Sequence, residues 1–198
     1  MSEDTSEKLL IAAGRLFCER GYAATSVRDI VREAGVNLGA VTYHFGGKDK
    51  LYAALVRRKI EPMKRLAMEI VSAQDSAPEK LRMVLEEYAV HVLHKDPGLK
   101  VIFAELLRGG SKLTDDVKEA VAFRNGLFLR IAKEGIEAGD FREFDLEGAS
   151  WMFFGMLSAY ILYHPLIADE KPDSPYPESR ARTIASQAVD IFMNGICK

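Results

Sequence analysis

Apolar residues recur at intervals of three and four along nearly the whole chain. No window alternates between apolar and polar positions in the way that a half-buried strand does. Spacing near 3.6 places the apolar side chains on one face of each successive helix, and glycine, proline and capping residues separate the periodic segments. The pattern therefore predicts an all-α fold of about nine helices and no sheet.

The first three predicted helices are short or are ended by glycines. The first runs from about Ser6 to Arg20 and stops at Gly21. Ser26 is expected to cap the second, which ends at Gly35. The third is expected to run from a cap at Asn37 to about His44.

Longer helices are predicted in the remainder of the chain. They run over about Lys48 to Val71, Glu79 to His94, Leu99 to Arg108, Thr114 to Ala138, Leu146 to Tyr163 and Glu178 to Gly195. Pro62 predicts a kink or a local break in the first of these. Asp145 is expected to cap the helix that ends at Pro165, and Lys171 to Pro177 is expected to be a loop.

Composition and hydropathy indicate a globular cytoplasmic protein. The 198 residues are 48% hydrophobic and 28% charged, which is enough for one generous core or two small ones. The polar, acidic start at Met1 to Ser6 does not resemble a signal peptide. The two cysteines, Cys18 and Cys197, do not make a disulfide framework. The apolar run Ala149 to Ala168 carries polar residues and a proline, so a buried helix at an interface fits better than a membrane span.

Charge is distributed unevenly, although the formal net charge is only −2. The segment from Lys8 to Arg65 contains twelve Lys or Arg against five Asp or Glu. The remainder is acidic. This asymmetry favours a nucleic-acid-binding amino-terminal end.

The segment Thr25 to Lys50 reads as a short helix, a glycine turn and a second short helix, which is the pattern of a helix-turn-helix DNA reader. Several of its side chains have suitable chemistry for DNA. Gly39 and Ala40 allow a close approach of the backbone, and Thr42, Tyr43 and His44 offer hydrogen bonds to phosphates or base edges. Lys48 is placed to reach a phosphate, and Arg28 a phosphate or a guanine. By spacing alone, Tyr43 and His44 could equally well pack between helices instead of contacting DNA.

A family resemblance is carried by residues between about Ser6 and Leu51. These residues are Leu16-Phe17, Arg20-Gly21-Tyr22, Thr25 to Ile30, Ala34-Gly35-Val36, Gly39, Val41, Tyr43-His44-Phe45 and Lys48. The segment resembles the DNA-binding domain of the TetR family of transcriptional regulators. The resemblance implies a homodimer that binds a palindromic DNA operator, usually as a repressor, and that a small ligand in the carboxy-terminal helical domain releases.

The resemblance also implies roles for single residues. Phosphate contacts would come from Thr25, Ser26, Thr42, Tyr43, His44 and Lys48, and base contacts from Arg28 and the turn formed by Asn37, Leu38, Gly39 and Ala40. Three residues depart from the common pattern: Leu38 replaces a frequent polar or basic residue, Ala40 a threonine and Thr42 a tyrosine. Leu38 and Ala40 are therefore candidates to contact thymine methyl groups.

The expected domains are residues 1–47, which bind DNA, and residues 48–198, which bind an effector and dimerise. The last two helices have the character of a dimer interface, because small residues such as Gly155 accompany large apolar ones.

Candidate effector contacts are Tyr88, Phe103, Phe123, Arg124, Phe128, Trp151, Met156 and Tyr160, although each is more readily a core residue. Arg124 lies among apolar residues and is a candidate for an anionic ligand, with Glu105 as the alternative partner.

A metal site is an open alternative at Glu87, His91 and His94, which share a helical face at i, i+4 and i+7 but lack an evident fourth ligand.

No motif for an enzyme or a cofactor is present: the chain has no glycine-rich phosphate loop, Gly-x-Ser-x-Gly or Cys-x-x-Cys. The sequence therefore predicts a ligand-responsive DNA-binding regulator. The alternative is a helical binding or metal-sensing protein with vestigial DNA binding.

Overall fold

The computed structural model of the chain describes residues 2–73, 75–95, 115–167 and 177–197. Within these ranges the chain forms eight α-helices and one π-helical turn, and no strand. The helices are α1 (Ser2–Ala24), α2 (Val27–Ala34), α3 (Gly39–Phe45), α4 (Lys48–Ser72), α5 (Ala77–Val90), α6 (Asp115–Ala138), α7 (Leu146–Ile167) and α8 (Glu178–Ile196). The π-turn His91–Lys95 directly follows α5. The predicted all-α fold is confirmed.

Glycine marks the helix ends that position the first three helices. Gly21 interrupts α1 with φ 81° and ψ 164°, a conformation that residues with a Cβ avoid. Gly35 ends α2 in the left-handed conformation, with φ 65° and ψ 36°. Both breaks lie where the sequence predicts them.

The start of α3 and the end of α7 are among the helix ends that differ from the prediction. Asn37 was expected to cap α3, but α3 begins at Gly39 with Leu38 as its N-cap and without a side-chain cap. The Asn37 carbonyl instead accepts the Ala40 N–H at 3.1 Å. Helix α7 was expected to end at Pro165 and instead continues to Ile167.

Helix α4 runs from Lys48 to Ser72 across Pro62 as one helix. The predicted helix from Leu99 to Arg108 lies outside the described residues, as does most of the predicted loop from Lys171 to Pro177.

The described residues form two compact units. The first unit comprises residues 2–61 and 115–118. Its buried apolar side chains include Leu9, Ala13, Leu16, Phe17, Ile30, Val41, Leu51, Leu55 and Val56. Three aromatic rings also pack together in this core: Phe17, Tyr22 and Tyr52 have ring centroids 5.1 to 5.5 Å apart. The start of α4 thus packs with the first three helices, and the domain boundary at residue 47 stays a prediction.

The second unit comprises residues 62–95, 119–167 and 177–197. Helices α5 and α8 pack against each other, and the core includes Leu81, Leu85, Phe128, Ile131, Phe153, Phe154, Leu157 and Val189. After α6, the Arg142 N–H donates to the Ile196 carbonyl at 2.9 Å, which ties the end of α8 to this core. Packing of these apolar side chains contributes about 1.5 to 3 kcal/mol for each fully buried large residue.

Candidate DNA-binding site

Ser26 and Asp29 fix the start of α2 through a capping box. The Ser26 hydroxyl accepts the Asp29 N–H at 3.1 Å, and the Asp29 carboxylate accepts the Ser26 N–H at 3.0 Å and the Ser26 hydroxyl at 2.5 Å. The bonds from the Ser26 hydroxyl and N–H lower the pKa of Asp29, and the nearby Arg32 charge adds to this effect. Arg28 lies exposed in the first turn of this firmly started helix.

The turn at Gly35 sets the direction of α3. The Gly35 N–H donates to the Arg32 carbonyl at 3.3 Å, and the Val36 N–H donates to the Val31 carbonyl at 3.0 Å. These bonds close the end of α2 and reverse the chain within a few residues. Helix α3 then packs against both α1 and α2.

Helix α3 has one buried and one exposed face. Ala40 and Val41 are buried, with Ala40 only 6% exposed. Tyr43 is 84% exposed and Leu38 is 53% exposed, although both side chains are large and apolar in their greater part. Thr42 is exposed beside them. The Tyr43 ring meets the His44 ring edge to face, with 5.0 Å between the centroids. A projecting helix face of this kind is suited to insertion into a groove of a partner.

An open depression of about 640 Å³ lies beside this face. Its lining is contributed by the Gly35 turn, by α3 and by the first turn of α1: Thr5, Gly35, Val36, Asn37, Gly39, Ala40, Tyr43 and His44. Five of the predicted DNA-contacting residues are therefore brought together around one concavity. Thr5 is an addition, and no local sequence pattern marked it.

Lys48 lies at the start of α4 and is positioned by Tyr22. Its Nζ atom is 4.1 Å from the centroid of the Tyr22 ring, within the range of a cation–π contact. The Tyr22 hydroxyl donates to the Asp49 carboxylate. Burial, followed by the hydrogen bond to Asp49, raises the pKa of Tyr22 above its usual range, so the hydroxyl stays protonated. Sequence reasoning missed Tyr22 and Asp49, because the contact joins residues far apart in the chain.

The structure separates the predicted DNA-contacting residues into two groups. Exposed or half-buried side chains belong to Ser26, Arg28, Asn37, Leu38, Thr42, Tyr43, His44 and Lys48, and Gly39 is exposed. Thr25 and Ala40 are buried instead. The Thr25 hydroxyl, in a residue 1% exposed, donates to the Gly21 carbonyl at 2.8 Å and the Leu16 carbonyl at 3.2 Å. The Thr25 hydroxyl thus stabilises the break in α1, and the phosphate contact of Thr25 stays a prediction.

The predicted effector contacts lie in different parts of the second unit. Tyr88 and Arg124 contact each other, with 2.9 Å from the Arg124 Nη1 to the Tyr88 hydroxyl. Phe128 is buried in the core, Phe123 and Tyr160 are half-buried, and Phe103 lies outside the described residues. Trp151 and Met156 are exposed on the outer face of α7 and do not point toward this core.

Two of the three candidate metal ligands, Glu87 and His94, lie close to charged residues outside the group. Glu87 lies 3.5 Å from Arg182, and His94 lies 3.9 Å from Glu178. Among residues 2–73, 75–95, 115–167 and 177–197, no group of three or more His, Cys, Asp or Glu side chains is placed to hold a metal ion. No helix in the described part of the chain has both the length and the apolar character that a membrane span needs.

Comparison with known proteins identifies relatives that match 66% to 74% of the chain. Over 155 residues the chain is 30% identical to the HTH-type transcriptional repressor KstR2 of Rhodococcus jostii, covering 74% of this chain and 76% of KstR2. It is 28% identical over 133 residues to the HTH-type transcriptional activator FasR of Mycolicibacterium smegmatis, covering 66% of this chain. That match spans 61% of FasR, which is less than two thirds of its length.

A solved structure shares the fold. The crystal structure of the transcriptional regulator FadR from Bacillus subtilis in complex with stearoyl-CoA superposes with a TM-score of 0.74 and 23% identity, covering 96% of this chain and 98% of that one.

Residues 9–55, which span the capping box, α3 and the start of α4, match the family described as bacterial regulatory proteins, tetR family. The likeness to KstR2 and this family match show that the chain belongs to the tetR family of bacterial regulatory proteins and is a helix-turn-helix transcriptional regulator.

Proposed function

We propose that this protein is a cytoplasmic homodimeric repressor, which binds a palindromic DNA operator and leaves it when a small effector binds the second unit. The observation that carries the proposal is the outer face of α3, where Tyr43 and Leu38 project while Ala40 and Val41 anchor the helix in the core. Such a helix can enter the major groove without losing its own packing. Two copies related by a two-fold axis would occupy successive major grooves about 34 Å apart.

The accessible site residues divide into two roles. Phosphates would be held by Ser26, Thr42, Tyr43, His44 and Lys48, because hydroxyl, imidazole and ammonium groups donate to phosphate oxygens. Base edges would be met by Arg28, Asn37 and Leu38, with Gly39 allowing close approach. Leu38 offers only apolar contact, so its natural target is a thymine methyl group.

Dimerisation is supported by the outer face of α7 together with α8. Exposed apolar side chains on this surface are Trp151, Met152, Met156, Tyr163 and Ile191, of which Met152 is 69% and Ile191 77% exposed. Gly155 and Ala159 lie exposed on the same face of α7, at the spacing of successive turns. A clustered apolar surface is uncommon on a monomer, and a palindromic operator requires a two-fold protein.

The effector is proposed to be an acyl-chain molecule. The support is the structure of FadR, whose complex contains stearoyl-CoA, together with the aromatic and aliphatic core of the second unit. Repression is proposed rather than activation because KstR2, which matches over most of both chains, is a repressor. An effector controls the protein only if it binds the DNA-competent and released arrangements unequally.

Operator binding is tested by titrating the full-length protein onto the DNA that flanks its own gene, at fixed salt. We expect a specific complex, lost or strongly weakened by Tyr43→Ala. Met68→Ala, at an exposed side chain of α4 in the second unit, is the matched control and should bind normally. If the wild-type protein shows no preference for this DNA over random DNA of equal length, the proposed operator function at this locus is refuted.

Dimerisation is tested by sedimentation at micromolar concentration. Met152→Glu and Ile191→Glu should each yield monomers and abolish tight operator binding, because a buried carboxylate would have no partner. Met68→Glu introduces the same change at another exposed methionine and should leave a dimer. A wild-type protein that sediments as a monomer contradicts the dimer proposal.

A further inference from the structure

Arg124 is a half-buried cation held against aromatic rings inside the second unit. Its guanidinium carbon lies 3.9 Å from the centroid of the Phe154 ring and 5.5 Å from that of Tyr88. The two rings meet edge to face at 4.9 Å. The guanidinium therefore rests on a preformed aromatic surface, which limits its rotation.

The hydrogen-bond partners of Arg124 are neutral. Nη1 donates to the Tyr88 hydroxyl at 2.9 Å, and Nε and Nη2 donate to the Asn125 Oδ1 at 3.3 Å and 3.2 Å. The Ser150 hydroxyl, in a residue 1% exposed, donates to the same oxygen at 3.3 Å. Within the described residues, the hydrogen bonds of the guanidinium go only to Tyr88 and Asn125, and the alternative partner Glu105 lies outside the described residues.

Arg82 and Arg182 of the second unit are paired differently. Arg82 lies 2.6 Å from Asp190, and Arg182 lies 2.9 Å from Glu178, so each has a carboxylate partner. A guanidinium stays charged at all physiological pH values, and withdrawing it from water without an opposite charge is unfavourable. A positioned cation beside apolar walls, with no carboxylate partner among the described residues, is the chemistry that attracts an anion carrying an apolar body.

We propose that Arg124 binds the anionic group of an amphiphilic effector, whose apolar chain is received by the surrounding core. This inference rests on the proposed function and names the chemistry of its effector. The Asn125 and Tyr88 contacts fix the guanidinium before the ligand arrives, which reduces the entropy lost on binding. The anion is either the carboxylate of a free long-chain acid or a phosphate of its coenzyme A thioester, and both accept bidentate hydrogen bonds from arginine.

The test measures direct binding by calorimetry, without DNA. Dodecanoate, dodecanoyl-CoA and 1-dodecanol share a chain and differ in the head group. We expect the wild-type protein to bind at least one of the two anions about tenfold to a hundredfold more tightly than the alcohol, as charge-assisted hydrogen bonds allow. Arg124→Met should abolish that preference while leaving affinity for the alcohol unchanged.

Two further variants separate binding from folding. Arg130→Met makes the same change at an exposed arginine of the same helix and should keep the preference. Arg124→Lys keeps the charge but loses the planar fork, so an intermediate preference is expected. If Arg124→Met loses the preference for dodecanoate alone, the group bound by Arg124 is a carboxylate. If it loses the preference for dodecanoyl-CoA alone, the group is a phosphate.

The proposal is overturned if Arg124→Met keeps the wild-type preference, if it weakens all three ligands equally, or if the wild-type protein binds neither anion more tightly than the alcohol. Operator binding without ligand is measured in parallel for the wild-type protein and should be unaffected by Arg130→Met. A protein that binds the anions but no operator would refute the proposed function and leave the role of Arg124 standing.

Discussion

Replacing Tyr22 should weaken operator binding although Tyr22 lies inside the first unit, because its ring holds Lys48 in place. The Lys48 Nζ is 4.1 Å from the ring centroid, and the Tyr22 hydroxyl donates to Asp49. Tyr22→Leu removes the aromatic face beneath the ammonium group. Tyr22→Phe keeps that face and removes only the hydrogen bond, so we expect the larger loss from Tyr22→Leu.

The expected loss of operator affinity follows from the contact between the Lys48 ammonium group and the Tyr22 ring. A lysine side chain carries about 2 kcal/mol of rotamer entropy, and a ring that already orients the ammonium group reduces what is lost at the phosphate. A cation–π contact at an accessible site contributes about 0.5 to 1 kcal/mol. With two protomers on one operator, Tyr22→Leu should cost about 1 to 2 kcal/mol, or about five- to thirtyfold in dissociation constant.

The assay is anisotropy of a labelled operator, measured at several salt concentrations for both single variants and the double variant. Lys48→Ala should reduce the slope of log K against log salt by about 0.9 per protomer, because one phosphate contact is lost. In that background, Tyr22→Leu should cause no further loss of affinity. Phe17→Leu, at a buried ring 5.4 Å from Tyr22, controls for loss of core volume. If Tyr22→Leu weakens binding equally with and without Lys48, the positioning role is refuted.

Three further predictions concern the same unit. Thr25→Val should lower the free energy of unfolding by about 1 to 3 kcal/mol in a urea titration, because two buried carbonyls lose a donor, while the salt slope of operator binding stays unchanged. Since the folded-state pKa of Asp29 is lowered, its stabilising contribution is complete above its ordinary value of 3.8 and disappears as pH falls through the lower folded value. The stability difference between the wild-type protein and Ser26→Ala should therefore shrink below that pH, in urea titrations at successive pH values. Replacing a contacted thymine by deoxyuridine should cost about 0.8 kcal/mol for one methyl group, and Leu38→Ala should abolish that discrimination in a competition assay.

Helix ends were predictable because they depend on local chemistry. Gly21 and Gly35 break helices through their own backbone freedom, and Ser26 and Asp29 reach each other within a single turn. Each signal lies within a few residues of its effect. The helix-turn-helix and the family were therefore recognisable from the sequence.

The direction of single side chains was less predictable. Helix α3 has only seven residues, so its hydrophobic periodicity is too short to predict whether Ala40 or Leu38 faces outward. Which of the two side chains is exposed depends on where the helix begins, and it begins at Gly39. Thr25 lies in a segment with hydroxyl groups suited to phosphate, but the break at Gly21 leaves a carbonyl that its hydroxyl satisfies. Contacts such as Lys48 with Tyr22 join distant residues and leave no local pattern.

Which face of α7 is buried could not be predicted from the sequence, for a different reason. This helix is apolar around most of its circumference, so hydrophobic periodicity does not show which face is inside. Phe153, Phe154 and Leu157 form the buried face, and Trp151 and Met156 lie on the other. The sequence assigned Trp151 and Met156 to an effector pocket. Their exposure instead supports the proposed dimer contact.

Because both faces of α7 are apolar, one helix serves both proposed interactions. Its inner face carries Phe154, on which Arg124 rests, and its outer face carries Met152 and Gly155. An anion drawn to Arg124 would act on the same rigid element that faces the second copy. Packed helices move as bodies rather than deforming continuously, so a small shift on the inner face would be transmitted to the outer one. Effector binding and subunit geometry would then be linked energetically, and mutations at Gly155 should alter effector affinity without touching the effector.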